Sequence, residues 1–204
     1  MKDKTKLRLL CVAEGALIIA LSYVLELFCL WLNAITGVSA LLPFGGTITI
    51  SMLPIAYYSF RRGSVWGVGV GLAYSCLQML LGFYIPPANN FGAILLCVLL
   101  DYVIAFGVVG LAGLVAKTFG KYRLTGYCVG AVAVCLIRFA SSFLSGVILW
   151  GSYAPEGMNV WLYSLIYNAS YMIPNAILTG VFAVVICAAL DPTTLRPMKN
   201  KAKN

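Results

Sequence analysis

The chain has 204 residues, of which 62% are apolar and only 10% charged, and its mean hydropathy is +0.96. Because a soluble domain carries roughly 25% charged residues, this composition excludes an ordinary soluble protein and indicates a polytopic membrane protein. The formal net charge of +8 does not indicate a nucleic-acid partner, since the basic residues collect in loops between apolar stretches. The absence of histidine excludes histidine-based metal binding and general-base catalysis. Seven cysteines without a CxxC pair indicate small apolar side chains rather than a metal site.

Six apolar segments follow one another along the chain. Since crossing a bilayer takes roughly 20 helical residues, we predict transmembrane helices near residues 8–32, 46–60, 64–83, 92–116, 125–149 and 160–189. The second segment is short and interrupted by Pro43 and Pro54, which is tolerated only where protein covers the freed backbone groups. We therefore predict an all-α integral membrane protein in which residues 1–204 form a single six-helix transmembrane domain in contact with lipid.

The basic residues predict the orientation of this bundle. Apart from Arg138, they are Lys2, Lys4, Lys6, Arg8, Arg61, Arg62, Lys117, Lys121, Arg123, Arg196, Lys199, Lys201 and Lys203. The alternate loops, residues 33–45, 84–91 and 150–159, contain neither lysine nor arginine. Since cytoplasmic loops carry the excess of basic residues, both termini are predicted to be cytoplasmic.

Polar residues of three predicted helices lie at a similar depth from the outer surface. The ionisable residues inside the predicted spans are Glu14, Glu26, Asp101 and Arg138. Each costs roughly 2.5–3.5 kcal/mol at the bilayer centre, so each needs a partner or a function. Counting about 1.5 Å per residue from the outer helix ends places Asp101 about 14 Å deep, Ser142 about 10 Å and Asn168 about 12 Å. This common depth predicts an outward-facing pocket.

Aromatic residues surround the same depth. They are Tyr102, Trp150, Tyr163 and Tyr167, three of which belong to the polar stretch between Arg138 and Asn175. A carboxylate among aromatic faces suits a small cationic heteroaromatic ligand, through charge pairing and cation–π contact. Two alternatives stay open at this point. Arg138, about 16 Å deep, can neutralise Asp101 as a structural pair, with the tyrosines as interfacial anchors. The polar groups can also line an ion or proton path.

Small residues mark two further faces. Ala16 and Ala20 on the first helix form a small-xxx-small face that allows another helix to approach, either within the bundle or from a partner. Gly67, Gly69 and Gly71 lie within an apolar span and no Lys-Ser/Thr pair follows them, which favours close helix packing over a phosphate loop. Without a P-loop, the chain cannot itself be the ATPase of a pump.

Four segments resemble a known transport family. They are AEGALIIALSYVL, TISMLPIAYYSFRRGSVWGVGVGLAYS, LLDYVIAFGVVGLAGL and RFASSFLSGVILWGSYAPEGMNVWLYSLIYN. Together they resemble the thiamine-specific substrate-binding component of energy-coupling factor transporters. The resemblance implies a high-affinity bacterial vitamin-binding subunit without catalytic activity or a cofactor. It also implies partnership with an energising module of two cytoplasmic ATPases and a transmembrane coupling protein.

The resemblance extends to single positions. It implies that Asp101, followed by Tyr102, is an acidic ligand of the vitamin and that Trp150 stacks on the aminopyrimidine ring. It further implies polar contacts from Tyr163 and Asn168. Ala16 and Ala20 match the alanine motif through which the family docks on its partner.

Two departures from the family leave the ligand open. Members can carry a histidine at the position of Ser142 and a tryptophan at the position of Gly45. Losing an imidazole and an indole can weaken binding or shift it toward a related pyrimidine, thiazole or other vitamin. Outside this family, a small channel or exchanger using Asp101 and Arg138 remains an alternative. A membrane enzyme is disfavoured because it needs a nucleophile with a base or a metal cluster, and the chain has no histidine, no paired carboxylates and no cytoplasmic acidic motif.

Overall fold

A computed structural model describes residues 2–44 and 46–196, and the regular elements of this part are helical. The uninterrupted helices are α1 (Lys2–Thr36), α2 (Val38–Leu41), α3 (Met52–Arg62) and α4 (Ser64–Gly82). A composite helix of residues 91–117 follows, and then α8 (Arg123–Leu149) and α9 (Val160–Ala189), with a 3₁₀ turn Gly151–Tyr153 between them. Gly45 and the basic residues Lys199, Lys201 and Lys203 lie outside the described residues.

The composite helix changes its winding at the level of the predicted pocket. It consists of α5 (Phe91–Cys97), a π-helical turn (Val98–Ile104), α6 (Ala105–Gly107), a 3₁₀ turn (Val108–Leu111) and α7 (Ala112–Lys117). Asp101 lies in the middle of the π-helical turn. Such turns are rare and occur frequently at functional sites, because the extra residue redirects the neighbouring side chains.

Five helical stretches are long and apolar enough to cross a membrane. They are Lys4–Thr36, Ser64–Gly82, Phe91–Lys117, Arg123–Leu149 and Val160–Ala189. All five were predicted, although the first helix is longer than expected at both ends. The helix of the predicted second span is α3, which ends at Arg62, two residues beyond the prediction; its 11 residues extend about 16 Å and are too short to cross alone. Its first residues, 46–50, are not helical.

Asparagine side chains cover the backbone of this non-helical stretch. Asn175 Oδ1 accepts from the Thr49 amide at 2.7 Å, and its Nδ2 donates to the Thr47 carbonyl at 3.2 Å. Asn33 Nδ2 donates to the Ile48 carbonyl at 2.8 Å. Unpaired backbone groups are costly inside a membrane, so these side chains make an interrupted segment tolerable. Asn175, at the end of the polar stretch that begins at Arg138, therefore has a structural role here.

Glycines bring α4 against the composite helix. A Cβ added at Gly67 would lie 2.6 Å from the Gly110 carbonyl oxygen, and one at Gly71 would lie 2.4 Å from the Phe106 carbonyl oxygen. Any larger side chain would push the two helices apart, so the glycines act in close packing as their pattern predicts. Gly69 has no such neighbour within 4 Å. The most extensive helix contact is between α8 and α9, which form one side of the predicted pocket.

Charged groups are paired at the end of the bundle that carries the basic loops. Glu14 accepts from Arg61 at 2.8 Å and from Arg62 at 2.6 Å, which joins α1 to the end of α3. Arg123 Nη1 lies 2.7 Å from Asp191 Oδ2 beyond α9. Burial raises the pKa of Asp191, but hydrogen bonds from Thr193 and Arg123 outweigh it and leave this pKa below its usual value. Glu14 therefore has structural partners, namely Arg61 and Arg62.

The cysteines form no metal-binding cluster. Five of the seven are buried, while Cys76 is exposed and Cys128 is half-buried. Within residues 2–44 and 46–196, the Cys, Asp and Glu side chains do not gather in threes that could hold a metal ion.

Candidate functional site

A cavity of about 550 Å³ lies between the helices, within the range of small-molecule sites. The predicted site residues that line it are Asp101, Tyr102, Ser142, Trp150, Tyr163, Tyr167 and Asn168. Asp101, Ser142 and Asn168, which depth counting assigned to one layer, line the same cavity as the four aromatic residues expected around that layer. Each of the three loops without lysine or arginine also contributes a lining residue, namely Phe44, Tyr84 and Tyr153. The cavity thus lies toward the end of the bundle opposite the basic loops.

Asp101 has several hydrogen-bond donors on one side of its carboxylate. Its Oδ2 accepts from Ser145 Oγ at 2.5 Å and from the Trp150 indole N–H at 3.2 Å. The Cys97 thiol contacts the same oxygen at 3.6 Å. Ser145 is fully buried and belongs to the polar face of α8. These donors hold the carboxylate and the indole in a common orientation at the cavity wall.

The other carboxylate oxygen of Asp101 is available. Within the described chain, Oδ1 accepts no hydrogen bond from another residue. Because a carboxylate can accept at both oxygens, the cavity contains an oriented acceptor with a negative charge. The aromatic face of Trp150 lies beside it, since the indole N–H is bound to the same group.

Aromatic side chains from α9 continue the wall. Tyr163 and Tyr167 stack with ring centroids 6.1 Å apart, and Phe44 packs edge-on against Tyr163 at 4.9 Å. Tyr171 follows, edge-on against Tyr167 at 5.5 Å. Their spacing of four residues places these rings on one face of α9. Such a wall offers π surface to a flat or cationic ligand.

Asn168 and Ser142 bind within the protein as well as lining the cavity. The Asn168 side chain donates to the Ser164 carbonyl at 2.9 Å and to the Ser142 carbonyl at 3.4 Å. Its Oδ1 accepts from Tyr171 at 3.0 Å, and the residue is only 2% exposed. Asn168 therefore joins α8 to α9 at the cavity wall. Ser142 contributes its carbonyl to this network.

The Tyr102 hydroxyl is bound at the end of α4. It accepts from the Tyr84 amide at 3.3 Å and donates to the Gly82 carbonyl at 3.4 Å. The Tyr102 ring packs on Phe83 with centroids 5.5 Å apart. These contacts position the loop that follows α4, so the hydroxyl is already engaged and the ring lines the cavity.

Arg138 does not form an ion pair with Asp101, although the similar depth of the two residues made such a pair possible. Among the ion pairs of residues 2–44 and 46–196, none joins it to Asp101. Its guanidinium lies 4.4 Å above the centre of the Phe106 ring, and Nη1 donates to Met52 Sδ at 2.8 Å. The positive charge is held by a cation–π contact, which leaves the Asp101 carboxylate free of a direct counter-ion.

Some lining residues escaped the sequence prediction. Glu26 was identified as an ionisable residue inside a predicted span but was not predicted to lie in the pocket. It lines the cavity together with Gln78. Ser145 lies in the polar stretch between Arg138 and Asn175 but was not predicted as a site residue, although it makes the shortest hydrogen bond to Asp101. A lone amide in the apolar sequence of α4 is a signal that could have identified Gln78. No spacing along one helix could have paired it with Glu26 on another.

The alanine face of α1 is not packed within the bundle. Ala16 and Ala20 are exposed on the outer surface, while the neighbouring Gly15 is buried against Val70. Of the two explanations of the small-xxx-small pattern, internal packing therefore does not apply to these alanines.

An apolar helical bundle with a preformed, charged and aromatic cavity is the architecture of an integral membrane protein that binds a small solute. A family model described as thiamine transporter protein matches residues 12–195. The thiamine transporter ThiT of Bacillus subtilis (strain 168) is 37% identical over 166 residues, covering 76% of this chain and 81% of the relative. The ThiT of Lacticaseibacillus paracasei is 31% identical over 192 residues, covering 88% and 87%.

A solved structure of ThiT from Listeria monocytogenes has the same fold. It aligns with a TM-score of 0.67, covering 88% of this chain and 93% of that chain, at 20% identity. The chain belongs to the thiamine transporter family, and the family recognised from the sequence is confirmed. It is a multi-pass membrane protein, and its named relatives are transporters rather than enzymes.

Proposed function

We propose that the chain is the thiamine-binding subunit of a vitamin importer of the energy-coupling factor type. The observation that carries this proposal is the oriented Asp101 carboxylate, with one unoccupied oxygen, beside Trp150 in an aromatic cavity. Thiamine joins an aminopyrimidine to a positively charged thiazolium ring. It therefore needs both a hydrogen-bond acceptor and aromatic faces, and the cavity offers both.

Each side chain has a role in this proposal. Asp101 Oδ1 accepts from the exocyclic amine of the pyrimidine and offsets the charge of the thiazolium ring. Trp150 stacks on the pyrimidine, because its indole is held by the same carboxylate. Tyr163 and Tyr167 supply π surface to the cation, and Asn168 keeps α8 and α9 together.

We place the cavity on the outer side of the membrane, with both termini in the cytoplasm. Support comes from the positive-inside rule and from the loops that line the cavity, which contain no lysine or arginine. In this topology α3 and the extended residues before it form the second crossing along the chain, which is interrupted and brings the total to six. Thiamine enters beneath the loop of residues 33–45.

The exposed alanines of α1 offer a place for the energising module. Ala16 and Ala20 are exposed on one face of α1, and their small side chains allow a helix of another protein to approach this face closely. We propose that a transmembrane coupling protein packs there and that two cytoplasmic ATPases drive inward release of the vitamin. A departure at Ser142, where relatives can carry histidine, keeps a thiamine precursor as the second candidate ligand.

Titration of the purified protein with thiamine tests the proposal. Binding is measured by calorimetry and by quenching of tryptophan fluorescence, with competition by the isolated pyrimidine and thiazole precursors. We expect saturable binding at micromolar vitamin or below and weaker competition by either precursor. Absence of heat and of quenching at micromolar thiamine would refute the thiamine assignment. Solute flux into liposomes without any ATPase would instead favour a channel or exchanger.

A further inference from the structure

A second polar cluster lies in the cavity, on helices that the Asp101 network does not use. Glu26 of α1 accepts from the Tyr74 hydroxyl and from Gln78 Nε2 of α4, the latter at 2.5 Å. Gln78 Nε2 also donates to the Tyr74 hydroxyl at 3.0 Å. Glu26 and Gln78 line the cavity, whereas Tyr74 is fully buried behind them. A carboxylate inside a membrane is costly, so its presence calls for a function.

The hydrogen bonds of this cluster decide what it can still bind. Both donors reach the same oxygen, Glu26 Oε2, and within the described chain no residue donates to Oε1. The two hydrogens of Gln78 Nε2 are directed to Glu26 and Tyr74, so its side-chain oxygen is the group left over. The reverse orientation of the amide would place its oxygen against the carboxylate. The unused groups are therefore both acceptors.

Two free acceptors select a ligand group that donates. An alcohol has one O–H and can donate it to the charged Glu26 oxygen, while a phosphate ester carries negative charge and presents acceptors. The stacked aromatic wall of the cavity lies elsewhere, on Trp150 and along α9. Beside the cluster, Phe106 packs edge-on against the buried Tyr74 at 5.3 Å, and the Arg138 guanidinium lies 4.4 Å above the centre of the Phe106 ring. The cluster is thus suited to the polar tail of a ligand rather than to its flat rings.

We infer that Glu26, oriented by Tyr74 and Gln78, binds the hydroxyl of the ligand's hydroxyethyl tail and selects the free alcohol over its phosphate ester. This inference rests on the proposed function, since it takes thiamine as the ligand. Glu26 is a specificity-determining residue of the same cavity, and Tyr74 and Gln78 are positioning residues. The two carboxylates bind different parts of the ligand, since Asp101 binds the ring system and Glu26 binds the tail.

Three ligands and one substitution test the inference. The ligands are thiamine, an analogue in which the hydroxyethyl group is replaced by ethyl, and thiamine monophosphate. In the native protein, the ethyl analogue and the monophosphate should each bind at least about tenfold more weakly than thiamine, because they leave buried acceptors unpaired or bring charges of like sign together. This comparison needs no variant.

Glu26→Gln should weaken thiamine binding at least about tenfold and change binding of the ethyl analogue less than about twofold. Because Glu26→Gln removes the negative charge, it should also reduce the ratio of thiamine affinity to monophosphate affinity about tenfold. Glu156→Gln, the same substitution at an exposed outer-loop residue, is the matched control and should change none of the three affinities. Equal weakening of thiamine and the ethyl analogue, or unchanged thiamine binding, would overturn the inference. A native protein that binds no thiamine would instead refute the proposed function.

Discussion

Replacing Asp101 with asparagine separates charge recognition from the shape of the cavity. Three groups are directed at Asp101 Oδ2, namely Ser145, Trp150 and the Cys97 thiol. In Asp101→Asn the amide oxygen is expected to keep this position, because the alternative would turn an N–H₂ group toward the Ser145 and Trp150 donors. The amide nitrogen then replaces Oδ1, and the cavity presents a neutral donor where it had a charged acceptor.

The magnitude follows from the lost hydrogen bond. A hydrogen bond to a charged group contributes about 1.5–3 kcal/mol, and each 1.4 kcal/mol corresponds to a factor of ten in affinity. Asp101→Asn should therefore weaken thiamine binding between about 10-fold and 150-fold. The substitution preserves volume, so the melting temperature of the unliganded protein in detergent should change little.

Calorimetric titration of the native protein and the variant, with Glu156→Gln as the control, measures this difference. The fluorescence of Trp150 provides a second signal, since the indole is bound to the substituted side chain. If the affinity of Asp101→Asn stays within about twofold of the native value, Asp101 does not contact the ligand. The network with Ser145 would then be purely structural.

Three further predictions concern other parts of the molecule. Replacing Trp150 with leucine should weaken thiamine binding about tenfold through the loss of stacking, measured by calorimetry, while a phenylalanine should restore part of it. Replacing Ala16 and Ala20 with tryptophan should abolish uptake by cells that contain the energising module but leave thiamine binding by the purified protein unchanged. Weakened binding would contradict a docking role. Because hydrogen bonds hold the pKa of Asp191 below its usual 3.8, Asp191→Asn should lower the melting temperature at pH 7. In the folded protein, Asp191 stays ionised at pH values below the pKa that it has in the unfolded chain. The stabilisation is therefore lost as the pH falls from about 4 through the lower pKa of the folded state. A difference that persists unchanged at pH 3 would contradict the ionic role.

The positions of the spans and the charge asymmetry depend on local sequence, and for that reason they could be predicted. Each long apolar run forms a helix because its backbone groups must pair within the segment, whatever its neighbours are. Helical rise also converts residue number into depth, which is why Asp101, Ser142 and Asn168 could be assigned to one cavity. The resemblance added the family and the proposed ligand.

The partners of these residues depend on how each helix is rotated and packed, and only the tertiary structure decided them. Depth alone allowed Arg138 to neutralise Asp101, but α8 directs the guanidinium over Phe106 and directs Ser145 to the carboxylate. The pairing of Glu26 with Gln78 joins two helices whose residues are far apart in the chain. The sequence by itself thus determined the membrane class and the five long helices that can cross a membrane. Tertiary packing decided which carboxylate oxygens remain free, because that depends on contacts between helices rather than on any one of them.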